Sequence, residues 1–91
     1  MTNLDGQKLS MEEVKQAIRE YILEEFLPGE NPEALTDSTP LITGGILDSL
    51  ATIKLVAFLE ERFHIQIQAH ETMVDYLDTI SDTAQLVSSK L

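Results

Sequence analysis

All three prolines and three of the four glycines of this 91-residue chain lie between Pro28 and Asp48, and that stretch limits what the rest can become. Proline removes a backbone donor and clashes with the preceding helical turn, while glycine gives up the most chain entropy on ordering, so no long helix or strand passes through. The segment reads as a loop. A connection of about twenty residues without elements of its own is uncommon in a compact domain and is usually functional or disordered. Leu41, Ile42, Ile46 and Leu47 argue that its second half is anchored to a core. It also carries Glu30, Glu33, Asp37 and Asp48 with no Lys or Arg, a one-sided charge.

The flanks of this loop are helical in pattern. Ser10-Met11-Glu12-Glu13 fits a capping box, and Val14, Ala17, Ile18, Tyr21, Ile22 and Phe26 then recur at three- and four-residue steps until Pro28-Gly29 stops the helix. A second run opens at Asp48-Ser49-Leu50 and ends near Phe63. At about 100° per residue, Leu55, Val56, Leu59 and Phe63 gather with Thr52 on one side and form the core stripe. Leu50, Ile53 and Ala57 gather nearly opposite, a second stripe that a small domain leaves facing something outside. Phe58 falls between the two. His64 to Gln68 alternates as a short extended linker, and Ala69 to Tyr76 accommodates about a turn of helix. Thr79-Ile80-Ser81-Asp82 starts a last helix, with Ala84, Val87 and Leu91 at helical spacing and Leu86 alongside. The expected tightest contacts involve Ile18, Ile22, Leu55, Leu59 and Phe63.

Size and charge narrow the function. The length suits one domain, taken as 1–91 with 1–9 as a flexible N-terminal extension. Six Lys plus Arg against sixteen Asp plus Glu leave a net charge of −10, which repels a phosphate backbone or an anionic membrane, so neither nucleic acid nor membrane is an expected partner. With no Cys there are no disulfides, zinc thiolates or thiol nucleophiles. A small secreted domain without such staples would be unusual, and no leader or spanning segment is visible, so a cytoplasmic monomer is expected. His64 and His70 stand six apart among scattered carboxylates, so no metal site is expected.

Ser49 is the residue on which chemistry could act. Two glycines, an aspartate and then serine at the start of a helix put a hydroxyl on an exposed turn at the positive end of a helix dipole, where an attached phosphate meets a favourable field. The plainer alternative is that Asp48 or Ser49 only caps the helix. No His lies close in sequence to activate the hydroxyl and no nucleophile elbow surrounds it, so Ser49 reads as an acceptor and not a catalyst.

Gly45-Ile46-Leu47-Asp48-Ser49-Leu50 resembles the attachment motif of acyl and peptidyl carrier proteins. The likeness extends through Thr39-Pro40-Leu41, Leu55 to Phe63, Ile65-Gln66-Ile67 and Leu77-Asp78-Thr79-Ile80, and covers about Met11 to Leu91. It implies an all-α four-helix bundle of acyl-carrier-protein type, with three main helices, one short helix and the long loop between helices 1 and 2. It implies that Ser49 is esterified by 4′-phosphopantetheine, whose thiol holds cargo as a thioester. A phosphopantetheinyl transferase would install the arm with help from Asp48, and partner enzymes would do the catalysis on a carrier that is itself not an enzyme. The stripe Leu50, Ile53 and Ala57, together with Lys54, would face those partners.

Two positions depart from the carriers of fatty-acid synthesis. Ala51 stands where those have an acid, and Lys54 where they usually have Glu, so the partner face is less acidic and should be less well matched to basic fatty-acid-synthase enzymes. The motif is nearer the form seen in peptidyl and aminoacyl carriers. The expectation is therefore a stand-alone carrier serving an adenylating acyl or aminoacyl ligase and downstream modifying enzymes in a specialised pathway. Its rival is an acidic helical interaction module that never takes the arm.

Overall fold

The computed structural model describes residues 9–91. Most of the expected N-terminal extension, 1–8, lies outside the described residues, and Leu9 is partly buried against the core. Helix α1 spans Met11–Phe26, α2 Ser49–Phe63, α3 Val74–Leu77 and α4 Ile80–Lys90, with short 3₁₀ turns at Pro32–Ala34 and Ala69–Thr72. The described residues contain no strand. No helix among them is long and apolar enough to cross a membrane.

Local signals set the starts of the long helices. Ser10 accepts the Glu13 amide at 3.1 Å while the Glu13 carboxylate takes the Ser10 amide at 2.8 Å, the reciprocal capping box its sequence predicts. Thr79 caps α4 by accepting the Asp82 amide at 2.9 Å. Helix α2 ends when His64 turns left-handed, at φ 56°, with its amide bonded to the Glu60 carbonyl.

The apolar stripes meet as expected. Val14, Ile18 and Ile22 of α1 face Leu55, Leu59 and Phe63 of α2, and Ile80, Ala84 and Val87 of α4 close the core, all buried. Helix α1 lies chiefly along α4. Val56 is only partly buried, and Leu91, expected to continue the α4 stripe, is exposed at the end of that helix. Phe58 packs flat on Tyr21, with ring centroids 4.1 Å apart, and edge-on to Phe63 at 6.4 Å, so it belongs to the α1–α2 seam. The Tyr21 hydroxyl donates to the Lys54 carbonyl at 3.2 Å and bolts that seam.

The long loop is anchored along its length. Leu35, Leu41 and Leu47 are buried, while Ile42 and Ile46 pack partly against the core. Leu35 extends the anchoring into the first half of the loop, beyond the four residues expected to hold it. Asp37 receives the Arg19 guanidinium and, at 3.0 Å, the Lys15 ammonium, both from α1. Its carbonyl accepts the Ser81 amide of α4 at 3.1 Å. The one-sided charge of the loop is thus partly answered by bases distant in sequence.

Candidate functional site

The loop delivers Ser49 through a run of constrained residues. Gly44 lies so close to the Pro40 carbonyl that an added Cβ would overlap its oxygen, and Gly45 takes φ +85°, a region costly for side chains. Leu47 then buries its side chain and donates its amide to the Leu41 carbonyl at 2.8 Å. Two residues on, the chain emerges at the surface as Ser49, the first residue of α2.

Asp48 is the N-cap. Its Oδ1 accepts the Ala51 amide at 2.8 Å, and its carbonyl accepts both the Thr52 amide and the Thr52 hydroxyl at 2.9 Å. The capping bond therefore falls to Asp48 and leaves the exposed Ser49 hydroxyl out of it. No acidic residue lies within the first helical turn. A phosphodiester on Ser49 Oγ would sit at the positive end of α2, near first-turn amides that the helix itself cannot satisfy. The site fits that group.

Leu50 and Ile53 are 63% and 64% exposed, and Lys54 and Ala57 are exposed as well, so the outer stripe read from periodicity lies on the same helix face as Ser49. Ala51 does not. It is buried.

Sequence reasoning missed a second group of exposed apolar side chains. Met73, Val74 and Tyr76, from the junction before α3 and from α3 itself, are 62%, 38% and 39% exposed. Three apolar residues within four positions of a short element with little room to bury them were the available signal. Between α2 and α3 a groove of about 550 Å³ runs beside Ser49, walled by Ile42, Leu47, Thr52, Ile53, Val56 and Val74. An attached chain with an apolar end could lie along it.

The loop side of this groove is held by Asp78, the residue that ends α3. Asp78 Oδ1 accepts the Ile42 and Thr43 amides at 2.8 and 2.9 Å, and Oδ2 accepts the Thr43 hydroxyl at 2.8 Å. These bonds, led by the Thr43 amide, hold its carboxyl below the ordinary aspartate range against an opposing desolvation. No group of three or more His, Cys, Asp or Glu side chains suited to a metal occurs among the described residues.

A family model described as the phosphopantetheine attachment site matches residues 16–87, well over half of the chain and including the Asp48-Ser49 turn. Comparison with curated protein sequences finds no match.

Proposed function

The chain belongs to the phosphopantetheine attachment site family, a family of carrier proteins that hold 4′-phosphopantetheine covalently, and from that membership we propose that Ser49 is the attachment residue and that the protein serves an adenylating acyl or aminoacyl ligase in a specialised biosynthetic route. The observation that carries this reading is the exposed Ser49 hydroxyl at the start of α2, released from capping by Asp48. When bound, the arm supplies a thiol, in a chain without cysteine, on which cargo rides as a thioester.

The chain's own residues present and orient. Asp48 fixes the first turn of α2 through the Ala51 amide, and the same carboxylate is the feature we assign to recognition by the transferase. Leu50, Ile53, Lys54 and Ala57 form the partner face, which we extend across the groove to Val74. A face so apolar, with a lysine among its charges, suits partners that dock by surface burial more than enzymes steered by basic patches. Loading, modification and release of the cargo belong to those partners, and the chain contributes no catalyst.

Intact mass after incubation with coenzyme A and a promiscuous phosphopantetheinyl transferase tests the attachment residue. The wild type should gain one phosphopantetheinyl group and Ser49→Ala none; no gain on the wild type, or an equal gain on the variant, defeats the assignment. The holo protein is then offered to candidate adenylating enzymes with their carboxylic acids. Leu50→Glu and Ile53→Glu should still take the arm where the transferase tolerates them, yet lose ligase-dependent loading. An interaction module that never takes the arm would keep its function in Ser49→Ala, and the match to an attachment-site family weighs against it.

A further inference from the structure

We propose that Asp78 is a positioning residue that clips together the two walls of the groove beside Ser49 and so sets how well the transferase recognises Ser49, a role that rests on Ser49 being the attachment residue. One wall includes Ile42 from the long loop, and the other includes Val74 from α3. Asp78 bonds to both. Its amide donates to the Val74 carbonyl at 3.1 Å, and its Oδ1 accepts the Ile42 amide at 2.8 Å. The neighbouring Thr43 contributes its amide to Oδ1 and its hydroxyl to Oδ2, while the Leu41 amide reaches the Asp78 carbonyl at 2.6 Å. Three consecutive loop residues therefore converge on one residue more than thirty positions later in the chain.

The constraint reaches Ser49 along a short path. The Leu41 carbonyl accepts the Leu47 amide at 2.8 Å, both leucines are buried, and Leu47 lies two residues before Ser49. Asp78 does not itself line the groove. An ionised carboxylate suits the post because it has acceptors only, enough for two amides and a hydroxyl at once. Without it, the Ile42 and Thr43 amides would look for water, and of the bonds from this loop segment to Asp78 only the backbone one from the Leu41 amide would remain.

Arm loading is followed by intact mass over a range of carrier concentrations, with coenzyme A and a promiscuous transferase. Asp78→Ala should raise KM for the carrier about tenfold and change kcat less than about twofold, because the reacting groups stay in place while the recognised surface loosens. Asp78→Asn keeps an oxygen for the two amides and can donate to the Thr43 hydroxyl, so its KM should return to within about threefold of wild type. Thr43→Val removes one bond at little change in volume and should raise KM about twofold.

In the apo proteins, amide hydrogen exchange at Ile42 and Thr43 should quicken at least about tenfold in Asp78→Ala, with Leu55 and Leu59 unchanged. A wild-type KM in Asp78→Ala, equal losses for the Ala and Asn variants when both are folded, or unchanged exchange at Ile42 and Thr43 overturns the proposal. Should Asp78→Ala lack the wild-type circular dichroism spectrum, Asp78→Asn and Thr43→Val decide the matter by the same readouts. If wild type takes no arm, the assignment of Ser49 fails, and the exchange rates alone judge the clip.

Discussion

Glycine is required twice on the approach to Ser49, for two different reasons. Gly45 needs its φ of +85° but has open space around its α-carbon, so Gly45→Ala should cost about 1 kcal/mol for placing a side chain in the left-handed region. Gly44 has no such dihedral demand, yet a Cβ there would overlap the Pro40 carbonyl oxygen, part of the backbone. Gly44→Ala should cost more, about 2 kcal/mol, because the loop itself must move. Urea denaturation of the two variants checks the order; a smaller loss for Gly44→Ala would contradict the contact. Asp78 makes a prediction in pH. Its carboxyl holds a proton more weakly in the folded protein than in the unfolded chain, because hydrogen bonds from Thr43 and Ile42 favour the ionised form. The resulting stability is complete above the ordinary carboxyl value of about 3.9 and is lost as pH falls through the lowered native value. Wild type should therefore lose stability more steeply than Asp78→Asn on acidification below about pH 4, as followed by denaturant midpoints at successive pH values. Parallel curves would contradict it.

Helix α2 faces two ways, and its two faces should respond differently to truncation. Leu59 is fully buried, so Leu59→Ala should cost about 2–5 kcal/mol through lost transfer energy and a residual cavity. Ile53 is 64% exposed, and Ile53→Ala should change stability by no more than about 0.5 kcal/mol while weakening partner binding. Thermal melts paired with a binding assay separate the two, and an unstable Ile53→Ala would place that side chain in the fold instead of on its face. The helical period was enough to find both stripes. It could not place Phe58, because a residue between stripes is claimed by whichever neighbour comes close, here the ring of Tyr21. Nor could it put Ala51 inside, since a side chain that small adds little to any apolar pattern, and its burial follows from how the loop meets the helix start. The elements around α3 were the hardest to read: a helix of Val74–Leu77 is too short for a period to be measured.

The molecule as a whole carries a net charge of −10 on a small body. Three of its six bases, Lys15, Arg19 and Lys90, are engaged with Asp37 and Glu71, which leaves most of the acids without a close cation among the described residues. Salt screens long-range repulsion between exposed charges more than it weakens close, half-buried pairs. The melting temperature should therefore rise between about 10 mM and 150 mM salt, where the Debye length shrinks from about 30 Å to about 8 Å. A flat or falling melting temperature would mean that the Lys15–Arg19–Asp37 and Lys90–Glu71 pairs outweigh the repulsion.

What the chain determined by itself is what acts within a turn or two of backbone. The capping box at Ser10, the cap at Thr79, the break at Pro28-Gly29, the two stripes of α2 and the Asp48-Ser49 turn all depend on residues no more than a few positions apart, where covalent connection already brings the groups together. Tertiary structure decided the contacts between distant segments. It sent Lys15 and Arg19 to Asp37, so that a loop without bases is partly neutralised, and it set Val74 of α3 across a groove from Ile53 of the α2 stripe. It also hung the loop leading to Ser49 on the carboxylate of Asp78. A carboxylate on the far side of a long loop looks, in sequence, like any solvated acid; only the path of the chain, fixed by burial of Leu35, Leu41 and Leu47, brings its partners within bonding distance.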